Sequence, residues 1–133
     1  MKLTYESVIE RFGQGVIILE KALPENLLGL YADGVIIINK DLTDIEKACV
    51  LLEEIGHHKK STGNILDQTI LENRRQEARA REWAAMTAIT PEDIRRLQQD
   101  PSVQSNWQAA EQLCVTESML RYAYEYYQRK EFI

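Results

Sequence analysis

Apolar positions along the chain change period near residue 40. Before it they fall in short, β-branched runs; after it they recur every three or four residues. Residues 3–12 place Val8, Ile9 and Phe12 on one side of a short helix that Gly13 and Gly15 should stop. Val16, Ile17, Ile18 and Leu19 give a short strand signal. Residues 27–31 and 35–38 flank Ala32-Asp33-Gly34, and Asp-Gly favours a hairpin because both central positions accept φ > 0. The first third of the chain therefore predicts a short helix and a small sheet of about three strands.

The helical part opens at Thr43, a candidate N-cap, with Glu46 three residues on to complete a capping box. That helix should run to about residue 59. Ile45, Ala48, Cys49, Leu52 and Ile55 form one apolar arc, with Val50 and Leu51 outside it on different sides. A helix apolar around most of its girth belongs in the centre of the domain. Residues 61–67 read as a loop and 73–89 as a second long helix. Thr90, Pro91, Glu92 and Asp93 supply a cap, a first-turn proline and first-turn acids for a short helix that ends before Asp100-Pro101. Two more helices fit 105–113 and 117–130. The expectation is one α+β, mostly helical domain over 1–133, with a helix and sheet in 1–39, two long helices in 43–89, the first of them buried, and a helical tail in 90–133.

Composition narrows the class without naming it. With 133 residues, 44% of them hydrophobic, the chain can bury a core unaided. No run approaches 18 apolar residues and the N-terminus has no signal-peptide pattern, so a soluble, cytoplasmic protein without a membrane partner is expected. Cys49 and Cys114 each sit in an apolar helical pattern and read as reduced core residues rather than a disulfide or ligand pair. The net charge of -5 does not favour nucleic acid.

The chemistry concentrates in residues 53–58, Glu-Glu-Ile-Gly-His-His. This is the outline of the zinc-protease helix HExxH with Glu53 in place of the first histidine. Glu53 and His57 keep the i,i+4 ligand spacing, and Glu54 stands where the water-activating base belongs. A site with an open position needs one more protein ligand. Glu77 is the candidate: it shares a helix face with Ala80, Ala84 and Ala88, a stripe small enough for another helix to approach closely. A plainer alternative stays open. Glu53 with His57 and Glu54 with His58 are also ordinary i,i+4 acid–base pairs near a helix C-terminus, and Glu77 could pair with Arg74 or Arg81.

The segment Glu46-Lys47-Ala48-Cys49-Val50-Leu51-Leu52-Glu53-Glu54-Ile55-Gly56-His57-His58 resembles the motif helix of phage-associated ImmA/IrrE-type metallopeptidases, in many of which it reads EELGHH or EELGHY. Asn73-Arg74-Arg75-Gln76-Glu77-Ala78-Arg79-Ala80-Arg81-Glu82-Trp83-Ala84 is similar to the second helix of that family, followed by the stop at Ile89 and Pro91. The hairpin and helical tail fit as well, and the resemblance implies a zincin-like, metallopeptidase-like domain over 1–133 built on a buried motif helix. The resemblance implies Glu53, His57 and Glu77 as metal ligands, with His58 as a possible alternative, and Glu54 as the base. It implies Zn²⁺ first, with Mn²⁺ or Mg²⁺ as further options because two carboxylates and one imidazole are oxygen-rich. It also implies a protein partner, a phage-type repressor that the protein cleaves or inactivates. Two carboxylates would leave a bound Zn²⁺ less positive than a two-histidine set, so water activation would be weaker.

The alternatives are a non-catalytic repressor-binding protein of the same fold and a helix-turn-helix regulator. Residues 107–120 have a helix-turn-helix outline, with Ala110 small, Cys114-Val115 at the turn, and Met119 and Leu120 apolar. The second helix offers Thr116, Glu117, Ser118 and Arg121 at its start, a poor set for reading a groove. Tyr122, Tyr124, Tyr126 and Tyr127 lie on several helix faces and suit half-buried packing or a protein interface.

Overall fold

The computed structural model describes residues 3–24, 27–60 and 70–133. Thr4 caps α1 (Tyr5–Phe12) through a reciprocal box with Ser7. Three strands follow, β1 (Ile17–Lys21), β2 (Gly29–Ala32) and β3 (Val35–Asn39), then α2 (Asp44–Lys60), α3 (Ile70–Ala88), α4 (Pro91–Gln99), α5 (Asn106–Leu113) and α6 (Glu117–Arg129). The α+β class, the three-stranded N-terminal sheet and the helical remainder agree with the sequence reading. The loop expected at 61–67 lies outside the described residues.

The hairpin forms as the Asp-Gly signal predicts, with Asp33 at φ 49° and Gly34 at φ 80°. β2 pairs antiparallel with β3, and β1 pairs parallel with β3 on its other side, so β3 is central in the order β1-β3-β2. Alternation along β3 sends Ile36 and Ile38 into the core and leaves Val35 and Ile37 on the outer face. Thr43 and Glu46 form the expected capping box on α2. Thr90 and Asp93 form another on α4.

Burial along α2 departs from the projected arc. Ala48, Cys49, Leu51, Leu52 and Ile55 are buried, but Ile45 is 37% exposed. Leu51 is fully buried because α2 is covered on more than one side, by the sheet, α1 and α3. Ile45 lies in the first turn. α3 opens at Ile70, about a turn before the expected start, since no proline or glycine between 70 and 73 forces a later one. Cys49 is buried, Cys114 is half-buried, and both are free thiols. The tail locks onto the domain where Tyr127, itself buried, donates its hydroxyl to the Ile89 carbonyl at 2.5 Å.

α2 lies close against α3 at Gly56. A Cβ added to Gly56 would stand 2.7 Å from the Ala80 carbonyl oxygen and 3.1 Å from its Cα. Ala80 and Ala84 are fully buried on the facing stripe. An alanine at position 56 would gain about 1 kcal/mol in helix propensity. The backbone it meets cannot rotate away, so overpacking prevails, and Gly56→Ala should lower stability by about 1–3 kcal/mol. Chemical denaturation checks this; an unchanged or raised midpoint would mean the two helices are not in contact there.

Candidate metal centre and substrate cleft

α2 and α3 run antiparallel, and Gly56 against Ala80 sets how near their facing side chains come. One residue past Gly56, His57 points across the interface and its Nε2 lies 3.2 Å from Glu77 Oε1. Glu54, one turn back on α2, places Oε1 3.8 Å from the same nitrogen. Glu54 and His57 are mostly buried, with side chains 12% and 15% exposed, whereas Glu77 is 55% exposed.

These three side chains open into a cleft of about 390 Å³ whose other walls are Leu27, Gly29, Leu30, Tyr31 and Gln76. β2 forms one side of it. The strand comes this close to α2 because Gly29 has no side chain: a Cβ there would meet Val50 Cγ1 at 2.8 Å and Glu54 Cγ at 3.3 Å. Sequence reasoning singled out neither Gly29, Tyr31 nor Gln76. The signal was weak but present for two of them, an aromatic and a glycine at alternate positions on one strand, facing the motif helix. Gln76 is buried at 5% exposure, which a polar residue inside an arginine-rich stretch does not advertise.

His58 does not join the group. Its Nδ1 is 2.7 Å from the Tyr31 hydroxyl and its ring packs edge-on to Tyr31 at 5.4 Å. Glu53 is not among the residues that line this cleft. It lines a neighbouring cavity of about 400 Å³ with Glu46, Cys49, Val50, Arg81, Thr116, Met119 and Tyr122.

The charges explain how these acids sit inside the domain. Hydrogen bonding to Glu77 holds the His57 imidazole above its ordinary pKa against the opposing effect of burial. The same bond holds Glu77 below the ordinary carboxylate value. Glu53 is pushed up by burial; the positive charges of Arg81 and His57 oppose this, and the negative charge of Glu77 adds to it. Glu54 is pushed up to about 7, chiefly by burial, with the nearby His57 charge working the other way. A carboxyl with that value exchanges protons near neutrality, as a general base must.

The fit to a divalent ion can be judged from the donors. Two ligand atoms on one tetrahedral ion, each about 2.0–2.2 Å from it, stand about 3.3–3.6 Å apart. The 3.2 Å between His57 Nε2 and Glu77 Oε1 is slightly shorter than that spacing, so a small outward shift of either side chain would meet it. The third donor expected from the sequence, Glu53, lies in the adjoining cavity, and no three His, Cys, Asp or Glu residues among the described ones form a ready metal-holding group. Two donors are pre-placed. The third would have to turn from one cavity into the other.

The tail has the geometry of the helix-turn-helix outline. Cys114 takes the left-handed turn between α5 and α6, and Ala110 and Met119 are buried beneath it. The exposed first turn of α6 presents Glu117 and Ser118, which does not favour DNA. No helix among the described residues is long and apolar enough to cross a membrane.

Residues 10–132 match the family model of the IrrE N-terminal-like domain, a peptidase family. No curated protein and no solved structure matches the chain.

The Glu54 shift has a stability consequence in metal-free protein. A carboxyl whose folded pKa is raised contributes stability that is complete below its unfolded value of 4.5 and is lost as pH rises through about 7. Glu54→Gln removes that loss. The variant should match wild type near pH 4.5 and exceed it at pH 8 by up to about 3 kcal/mol. Denaturant titrations with a chelator present measure the difference, and parallel pH profiles for the two proteins would show that Glu54 ionises freely.

Proposed function

Because the chain belongs to the IrrE N-terminal-like (ImmA/IrrE) peptidase family, we propose that it is a metal-dependent peptidase that cleaves a repressor protein of phage or mobile-element type. The observation that supports this reading best is the convergence of Glu54 and Glu77 on one imidazole nitrogen at the floor of a cleft walled by a sheet edge. Zn²⁺ suits the imidazole and carboxylate donors, and the oxygen-rich set also admits Mn²⁺ or Mg²⁺. His57 and Glu77 would hold the ion, with Glu53 as the third donor. When bound, the ion supplies Lewis acidity, polarising a carbonyl and lowering the pKa of a water.

The remaining steps belong to the chain's own side chains. Among the described residues β2 pairs only with β3, so its other edge is free to add an extended peptide by main-chain hydrogen bonds. Gly29 on that strand lies against Glu54, which sets the strand beside the candidate base. Glu54 takes the proton of the attacking water as its oxygen bonds to the scissile carbonyl carbon. It then returns a proton to the departing amine as the C–N bond breaks. Tyr31, fixed by His58, closes the wall of the cleft.

The second reading is repressor docking without cleavage, favoured by Glu53 lining the adjoining cavity rather than the cleft of His57 and Glu77. Elemental analysis of protein purified without chelator separates the two. A stoichiometric divalent ion supports the peptidase; its absence supports docking alone.

If Glu54 is the base, Glu54→Gln should keep the bound metal and slow repressor cleavage by roughly 100-fold or more. Single-turnover cleavage with metal content measured on the same samples tests this. Wild-type rates in the variant would remove Glu54 from the chemistry.

A further inference from the structure

Two strands of the sheet have the sequence of strands buried on both faces, yet only one face is covered. Val35, Ile36, Ile37 and Ile38 on β3, and Ile17, Ile18 and Leu19 on β1, are unbroken apolar runs, the pattern of strands that meet protein on either side. A strand with one face in water alternates to polar residues instead. α2 packs against β2 and β3 on the side where Ile36 and Ile38 are buried. On the other side the register brings two apolar rows together. Ile17 pairs with Val35 and Val35 with Ala32; Leu19 pairs with Ile37 and Ile37 with Leu30. Paired residues point to the same face, so these six side chains form one block across all three strands. Ile17 is 59% exposed, Leu30 41% and Leu19 38%. The block holds no charge. Charged residues stand at its ends, Asp33 in the hairpin turn and Lys21 at the far end of β1.

We propose that this face is an interface between two copies of the chain, which pack sheet against sheet about a two-fold axis. The inference stands apart from the peptidase reading and from any metal. Three properties favour a second copy as the occupant. An isologous contact lays a patch on itself, so a charge at its centre would meet its own image; this centre has none. Inverting the strand direction between the copies turns the Asp33 end of each face toward the Lys21 end of the other, unlike charges together. The size also suits a reversible dimer. The block exposes roughly 350 Å² of apolar surface, within the range of patches that mark contact sites. Doubled, and rimmed with polar groups as homodimer interfaces of about 65% apolar area are, it gives a contact of about 1,100 Å². That clears the roughly 1,000 Å² of a specific contact and lies at the weak, transient end of the range. Leu30 belongs both to the block and to the wall of the cleft, so the second copy sits beside the cleft mouth.

Sedimentation equilibrium of the full chain from roughly 1 to 500 µM tests this, since a weak dimer dissociates within that span. Wild type should pass from the 15.4 kDa monomer toward twice that mass as concentration rises. Ile17→Lys on β1 and Leu30→Lys on β2 should each weaken the dimer by at least roughly 100-fold, because a two-fold interface loses every substituted contact twice and brings like charges together. Both side chains are exposed in the monomer, so the melting temperature at low concentration should stay near wild type. Met86→Lys, at an exposed apolar position on α3, should dimerise as wild type does. A wild-type chain that stays monomeric throughout would overturn the proposal and leave the face to a different protein. Dimerisation retained in Leu30→Lys would overturn it too, since the copies would then join through the β1 edge or another surface. So would an equal loss in Met86→Lys.

Discussion

Where Gly56 lies against the backbone of Ala80, α2 and α3 approach more closely than side chains would ordinarily allow, and the candidate site depends on that approach. A helix interior is a costly place for glycine. Here the absence of a Cβ lets His57 reach Glu77 across the interface, and it lets the alanine stripe of α3 bury itself against α2. The same economy recurs on the other side of α2, where Gly29 allows β2 to lie against Val50 and Glu54. The motif helix is thus clasped between a helix and a strand, each admitted by one missing side chain.

That clasp sets the electrostatics. Glu53 and Glu54 are adjacent acids on a largely buried helix, and both have raised pKa values because burial disfavours their charge. The two line different cavities, while both feel the charges of His57 and Glu77. Glu54 shares the cleft with His57 and Glu77, and Glu53 shares its cavity with Arg81. A neutral-range carboxyl beside a histidine–glutamate pair is a group able to accept and return a proton. The neighbouring acid, Glu53, is buried beside the adjoining cavity instead.

Local rules make much of this legible in the chain itself. The Asp33-Gly34 turn, the capping boxes at Thr43 and Thr90 and the helices of the tail each depend on residues within a few positions of one another. The i,i+4 spacing of Glu53 and His57 is local in the same sense, and the alanine stripe on α3 marked the face on which Glu77 meets His57. What the sequence hid is nonlocal. The parallel pairing of β1 with β3 joins strands that are not neighbours in the chain. The burial of Leu51 reflects cover from several other elements, and Glu53 turns into a cavity that Arg81 lines from another helix. Tyr31 and His58 find each other across 27 residues. A periodic pattern gives the face a side chain starts from; its final aim depends on what has been packed opposite.

The central claim is that the α2/α3 interface holds a divalent ion through His57, Glu77 and a carboxylate of α2. X-ray absorption at the zinc edge of the Zn²⁺-loaded protein tests it most directly. One imidazole nitrogen and carboxylate oxygens at about 2.0–2.2 Å are expected, with the imidazole signal lost in His57→Ala. A thiolate sulfur at about 2.3 Å, which only Cys49 or Cys114 could supply, or a shell of water alone, would contradict it.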